Sequence, residues 1–186
     1  MTPAVFRRFK IIGSLLMLML AVHVANIVLP IELRLFGIYP RELDHLPYIF
    51  SAPFLHADWM HLANNAIGFS VFSFLCLLHG SKMYFQVSSF VIIVSGLMVW
   101  AFARESTHIG ASGWIFGLWS FSIALAWFDR SPRNILVALL VAVFYGGMVF
   151  GVLPTKSYIS FEAHLFGAVS GAMAAGIYSK RRRYYR

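Results

Sequence analysis

The sequence predicts an all-α integral membrane protein, a bundle of six transmembrane helices with both termini in the cytoplasm. Three observations indicate this fold class. The chain of 186 residues is 60% hydrophobic and only 12% charged, whereas an average soluble chain carries about 25% charged residues. Its apolar residues form six long stretches, and 11 of its 15 Lys and Arg residues fall on one side of the resulting bundle. This composition excludes a soluble globule, a disordered tail and a coiled coil.

Six apolar stretches meet or nearly meet the length of a membrane span. A helix crosses a bilayer with about 20 mostly apolar residues, because each residue adds about 1.5 Å against a hydrocarbon core of about 30 Å. The stretches cover residues 11–31, 61–78, 84–103, 110–128, 135–153 and 163–178. Residues 33–53 contain three prolines and four charges, so we expect an ordered loop or an interfacial segment there.

The ends of the chain are basic, and the bundle lies between them. We predict a basic cytoplasmic N-terminus over residues 1–10, a membrane domain over residues 11–178 and a basic cytoplasmic tail over residues 179–186. The first apolar run is too long for the 7–15 residues of a signal-peptide core, so it is predicted to be a retained helix.

The distribution of charge orients the bundle. With six spans both termini share one side, which carries 11 Lys and Arg residues and one of the seven acidic residues. The positive-inside rule places this side in the cytoplasm. The basic tail is then explained by the lipid surface, and no nucleic-acid partner is expected. The single cysteine, Cys76, excludes an internal disulfide and any multi-cysteine metal site.

Several polar residues lie within apolar stretches, near their outer ends. His56, His61 and Asn65 lie near the outer end of the second stretch, Ser112 near that of the fourth and His164 near that of the sixth. These three stretches run in the same direction, so the polar groups share one depth. A polar group in a membrane costs several kcal/mol unless it is paired, which makes this cluster a candidate functional site.

Glycine spacing indicates which helices touch. Pairs of glycines four residues apart are Gly113 and Gly117 in the fourth stretch and Gly167 and Gly171 in the sixth. Such small-residue patterns let two helix backbones approach closely. His164 shares the face of Gly167, so packing of the two faces would bring it towards Ser112. A nucleophile and its base need hydrogen-bond reach, about 2.6–3.2 Å.

The same region contains donors for a developing anion. Ser112 is predicted in the first turn of its helix, where backbone N–H groups are free and the helix dipole is positive. His61 and Asn65 are four residues apart on one helical face, so both can donate in one direction. This pattern is typical of an oxyanion hole, in which the loss of one donor costs about 10²–10³ in rate.

The motifs, taken together and in order, resemble those of the rhomboid intramembrane serine proteases. They are Phe-Gly-Ile-Tyr-Pro-Arg at residues 36–41, Ala-Pro-Phe-Leu-His at 52–56, His-Leu-x-x-Asn at 61–65, Gly-Ala-Ser-Gly at 110–113 and Ala-His-x-x-Gly-x-x-x-Gly at 163–171. The likeness covers almost the whole chain.

The resemblance implies a Ser–His dyad that cleaves transmembrane segments of membrane proteins near the outer membrane face. Ser112 would be the nucleophile and His164 the general base, with His61, Asn65 and the Ser112 backbone N–H as the oxyanion hole. The expected supporting residues are His56, Gly110, Gly113, Phe116, Gly167 and Gly171. The family often has a tyrosine four residues after the serine, stacked on the histidine, and here Phe116 keeps the ring without the hydroxyl.

The resemblance also implies the surroundings of the site. We expect no cofactor and no metal, transmembrane proteins as substrates, and a bacterial inner membrane with the site open to the periplasmic side. A lateral gate is expected at the fifth helix and residues 153–161. No acidic third member of the dyad is expected, since Glu162 would point away from His164.

Other functions remain open at this stage. A catalytically silent relative that binds client transmembrane helices would be marked by loss of Ser112 or His164, and both are present. A small transporter would need interrupted helices in paired repeats. A zinc site is not favoured because His56 and His61 are five residues apart and lack an accompanying glutamate.

Overall fold

A computed structural model describes residues 2–154 and 160–184, with side chains described as far as Ser179. Within these ranges the regular secondary structure is helical, apart from one isolated β-bridge between Ile38 and His108. The α-helices are α1 (Pro3–Val28), α2 (Trp59–Leu77), α3 (Ser81–Phe102), α4 (Ser112–Phe128), α5 (Pro132–Tyr145) and α6 (Phe161–Tyr184).

Two helices extend well beyond their apolar stretches, α1 at its start and α6 at its end. α1 begins at Pro3, because the Thr2 side chain accepts a hydrogen bond from the Val5 N–H at 3.4 Å and proline occupies the first turn. α6 continues to Tyr184. Helical backbone therefore extends into both segments predicted as basic termini, since capping and helix propensity act independently of hydropathy.

Four helical segments of the described chain are long and apolar enough to cross a membrane. They are Pro3–Val28, Trp59–Leu77, Ser81–Phe102 and Pro132–Val152. α4 is apolar but has 17 residues, about 25 Å of helix. α6 contains Glu162 and His164 in its first turn and ends in a basic run, which lowers its mean hydropathy.

α4 is the centre of the bundle. It contributes ten buried residues and contacts α2, α3, α5 and, most extensively, α6. α1 and α5 lie at the periphery and leave most of their apolar side chains uncovered by protein. A helix enclosed by its neighbours does not need the length or the apolar surface of a lipid-facing helix, which explains why α4 is short.

The segment between α1 and α2 is an ordered loop that contains three 3-10 helices, Leu33–Phe36, Leu43–Ile49 and Ala52–Phe54. Three long-range hydrogen bonds fasten it to the end of α3, and in one of them the Arg41 backbone N–H donates to the Trp100 carbonyl at 2.8 Å. Trp100 donates its indole N–H to the Glu42 carbonyl at 2.8 Å, and Arg41 donates to the Ala103 carbonyl at 2.8 Å.

The fifth apolar stretch is divided between an α-helix and a 3-10 helix. A 3-10 helix, Gly146–Val152, follows Tyr145 directly. The expected lateral gate includes residues 153–161, and residues 155–159 of that loop lie outside the described residues.

Candidate active site

The first two turns of α2 present His61 and Asn65 on one face. Asp58 caps the helix by accepting a hydrogen bond from the His61 N–H at 2.7 Å, and Asn65 donates an amide hydrogen to the His61 carbonyl at 2.9 Å. The Ala57 N–H donates to His61 Nδ1 at 3.4 Å. Because that nitrogen accepts, the ring proton resides on Nε2, and Asn65 keeps one amide hydrogen to donate elsewhere.

The loop before α4 passes directly against these donors. Gly110 has φ of +109° and donates its N–H to the Ala52 carbonyl at 2.9 Å. A Cβ atom at Gly110 would lie 2.6 Å from His61 Nε2 and 3.7 Å from Asn65 Nδ2. Both the left-handed backbone and the lack of space require glycine here.

The N-terminus of α4 carries Ser112 as its first residue. Ala111 precedes it in the cap position, with no side chain bonded to the helix N-terminus. The first backbone N–H groups of a helix have no partner within the helix, and the dipole there is positive. Ser112, which is half-buried, therefore sits where an anion is stabilised.

α4 and α6 meet backbone to backbone through their glycines. A Cβ atom at Gly167 would collide with the Gly113 carbonyl oxygen, and one at Gly171 would collide with the Gly117 carbonyl oxygen. The two pairs of small residues are thus in direct register, one helical turn apart.

The glycines that flank Ser112 in the sequence lie close to two other segments. A Cβ atom at Gly110 would lie 2.6 Å from His61 Nε2, and a Cβ atom at Gly113 would lie 3.1 Å from the Ala163 carbonyl oxygen. Ala163 immediately precedes His164. The structure therefore brings the serine turn together with both the α2 donors and the first turn of α6.

The His164 ring is held by two contacts. Its Nδ1 lies 2.9 Å from the Gly151 carbonyl oxygen, and its plane stacks on Phe116 with centroids 4.2 Å apart and an interplanar angle of 7°. A carbonyl only accepts, so Nδ1 carries the hydrogen and Nε2 retains its lone pair. Glu162 does not support the ring, because its carboxylate pairs with Arg104 at 3.1 Å.

Gly151 was not found from the sequence. A Cβ atom at this position would lie 2.6 Å from Phe116 Cζ and 3.5 Å from His164 Nδ1. The orienting group is its backbone carbonyl, which every residue possesses, so the sequence contains no signal for it beyond the glycine itself.

His56 lies next to His61 on the α2 side of the site. It is 1% exposed, and its ring centroid is 5.1 Å from that of His61 in an edge-to-face arrangement. Burial, reinforced by the proximity of His61, lowers the pKa of His56 to about 4. The ring is therefore neutral near neutral pH and adds no charge beside the donors.

Metal-ligand geometry is absent from the part of the chain that the structure describes. No group of three or more His, Cys, Asp or Glu side chains in residues 2–154 and 160–179 is arranged to hold a metal ion.

Comparison with known proteins places this chain in a family. Residues 44–181 match the Rhomboid domain. An uncharacterized protein of Mycobacterium tuberculosis is 35% identical over 156 residues, which cover 79% of this chain and 65% of that protein. An uncharacterized protein of Mycobacterium leprae is 35% identical over 156 residues, 79% of this chain and 62% of that protein.

A plant protein is also similar. Rhomboid-like protein 11, chloroplastic, of Arabidopsis thaliana is 27% identical over 147 residues, which cover 70% of this chain and 51% of that protein. The matched segment thus spans less than two thirds of the length of these relatives. Because the domain match covers most of the 186 residues and the motifs occupy one site, the chain belongs to the rhomboid family.

Proposed function

We propose that this protein is an intramembrane serine endopeptidase that cleaves transmembrane segments near the outer membrane face, with Ser112 as nucleophile and His164 as general base. The observation that carries the proposal is the state of the His164 ring. Its Nδ1–H is bonded to the Gly151 carbonyl and its face is stacked on Phe116, which leaves Nε2 as the basic nitrogen. A serine protease needs its histidine in this tautomer.

In the proposed reaction His164 Nε2 takes the Ser112 hydroxyl proton as Oγ attacks the scissile carbonyl. The resulting oxyanion accepts hydrogen bonds from the Ser112 backbone N–H, from His61 Nε2–H and from the remaining amide hydrogen of Asn65. His164 then returns the proton to the leaving amine. Water hydrolyses the acyl-enzyme by the same route in reverse order.

Substrate choice follows from helix chemistry. A helical substrate hides its peptide bonds in its own hydrogen bonds and must unwind before Oγ can attack. Glycine and proline cost about 1 and 3 kcal/mol in a helix interior relative to alanine. We therefore propose that segments with such residues near the outer boundary are preferred.

The proposal includes the topology. All six α-helices cross the membrane, with α4 enclosed by its neighbours, and both termini face the cytoplasm because of their basic residues. The polar cluster then opens to the external side, which is the periplasm in a bacterial inner membrane. Water can reach the acyl-enzyme from that side.

Proteoliposomes provide the test. Purified protein is reconstituted with a single-span reporter that carries Gly and Pro near its outer boundary, and its cleavage is followed by gel and mass spectrometry. We expect cleavage by the wild type and no cleavage by Ser112→Ala or His164→Ala. Ser122→Ala is the matched control, because Ser122 donates to the Leu118 carbonyl within α4 and lies outside the site.

Two results of this experiment would contradict the proposal. If the folded wild type leaves the reporter intact but retains it during purification, the silent client-binding function replaces the proposed one. Equal cleavage by wild type and Ser112→Ala would exclude the proposed dyad.

A further inference from the structure

We infer that Arg104 and His108, in the loop between α3 and α4, are positioning residues that hold the first turn of α6 and thereby set the position of His164 relative to Ser112. Their catalytic consequence rests on the proposed function, whereas their effect on the His164 ring does not. The contacts that carry this inference join the two residues to Ser160, Phe161 and Glu162 at the start of α6.

A directed hydrogen-bond chain runs from the loop to α6. His108 is 3% exposed, with Nε2 3.0 Å from the Arg104 carbonyl oxygen and Nδ1 2.6 Å from Ser160 Oγ. The carbonyl only accepts, so Nε2 carries the hydrogen and Nδ1 accepts from the Ser160 hydroxyl. Burial lowers the pKa of His108, which keeps this neutral form.

Ser160 is the residue that starts α6. Its Oγ accepts a hydrogen bond from the Ala163 N–H at 3.2 Å, the contact of a helix N-cap. Its carbonyl accepts from the His164 N–H at 3.4 Å. His108 is therefore hydrogen-bonded to Ser160, the cap residue whose carbonyl accepts the hydrogen bond from the His164 N–H.

Arg104 holds the same turn through a second contact. Its Nε lies 3.1 Å from Glu162 Oε1, and its backbone N–H donates to the same oxygen at 3.4 Å. Its guanidinium carbon lies 5.3 Å from the centroid of the Phe161 ring. Glu162 is 6% exposed, and a carboxylate at such a site needs a cation partner.

The opposite end of this loop delivers the nucleophile. Gly110 lies against His61 and leads within two residues to Ser112. Ile38 fixes the middle of the loop, because the Ile38 N–H donates to the His108 carbonyl at 3.0 Å and the His108 N–H donates to the Ile38 carbonyl at 2.8 Å. One loop thus places the serine and holds the helix of the histidine.

The expected effect is a loss of turnover with substrate binding retained. A displacement of about 1 Å in a catalytic pair can cost about 10²-fold in rate. We expect His108→Phe and Ser160→Ala to lower kcat of reporter cleavage by up to about this factor, with KM unchanged. Ser160→Thr, which keeps the hydroxyl, should restore most of the rate.

A control exists within the same loop. Glu105 is next to Arg104, but its carboxylate pairs with Arg41 at 3.4 Å and both side chains are substantially exposed. Glu105→Gln removes a loop carboxylate that the structure does not link to α6, so it should leave kcat and KM at wild-type values.

The experiment combines kinetics with a spectroscopic measurement that needs no activity. Histidine is labelled with 13C and 15N, and the ring signals of His164 are assigned with His164→Ala in micelles. Stacking on Phe116 gives the His164 ring protons a ring-current shift, which should shrink in His108→Phe and Ser160→Ala and persist in Ser160→Thr and Glu105→Gln.

The outcomes separate the two proposals. Unchanged His164 signals and unchanged kcat in folded His108→Phe and Ser160→Ala would overturn the positioning role. If no variant, including wild type, cleaves the reporter but the ring signals shift as expected, the proposed function fails and the positioning role stands. If His108→Phe does not fold, the comparison of Ser160→Ala with Ser160→Thr decides the question.

Discussion

The close approach of α4 and α6 makes Gly167→Ala the most informative perturbation of the bundle. A Cβ atom at Gly167 would lie 2.9 Å from the Gly113 carbonyl carbon, 3.1 Å from Gly113 Cα and closer still to the carbonyl oxygen. Nonbonded carbon atoms prefer about 3.5–4.0 Å, so the helices must separate by roughly half an ångström or more. Backbone, unlike the end of a long side chain, cannot rotate away.

We expect two measurable consequences of Gly167→Ala. Overpacking of this kind typically costs about 1–3 kcal/mol, so thermal unfolding in detergent should shift downwards. His164 lies one turn earlier on α6, so the dyad should also lose alignment, and labelling by a fluorophosphonate probe should slow by up to about 10²-fold.

Gly13→Ala is the matched control for this substitution. Gly13 is in α1, and a Cβ atom there meets nothing within 4 Å. Alanine favours a helix over glycine by about 1 kcal/mol, so this variant should be as stable as the wild type or more stable. Gly167→Ala with wild-type labelling and unfolding temperature would refute the close packing of α4 on α6.

Three further predictions concern the site. Replacing His56 by Gln should flatten the pH dependence of the free energy of unfolding, because the fold lowers the pKa of His56 from 6.5 to about 4. The contribution of the neutral ring to stability is complete above pH 6.5 and falls by roughly 3 kcal/mol as pH drops to 4. Equal pH dependence of unfolding in both proteins would contradict this. The fluorophosphonate probe should label Phe116→Tyr at a rate near wild type and Phe116→Ala slowly, because only the tyrosine keeps a ring stacked on His164. Equal labelling rates would show that this stacking does not contribute to the reactivity of Ser112. His61→Ala and Asn65→Ala should each lower kcat about 10²–10³-fold with little change in KM, and a change confined to KM would argue for substrate contact in place of anion stabilisation.

The helical spacing of the site residues was readable from the sequence for a physical reason. A helix repeats every 3.6 residues, so His61 and Asn65, or Gly167 and Gly171, must share a face wherever the helix lies. A polar group in an apolar helix costs free energy unless it is paired, and a glycine pair there indicates close helix packing. These two signals identified the starts of the second, fourth and sixth stretches as the candidate site. The family followed from the same motifs.

The contacts that hold the site were not readable from the sequence. The partner of His164 is a backbone carbonyl, at Gly151, which leaves no mark on residue type. Arg104 and His108 reach α6 across sequence separations of 58 and 52 residues, so no local pattern connects them. The start of α1 was missed because hydropathy does not report a Thr2 cap followed by proline.

The most direct test of the proposed chemistry is to locate a covalent adduct. Folded protein in detergent is treated with a fluorophosphonate, digested and sequenced by tandem mass spectrometry, beside His164→Ala and the Ser122→Ala control. We expect a single adduct on Ser112 in wild type and Ser122→Ala, and none in His164→Ala. An unmodified Ser112 in the folded wild type, or an equal adduct without His164, would contradict a Ser112–His164 dyad.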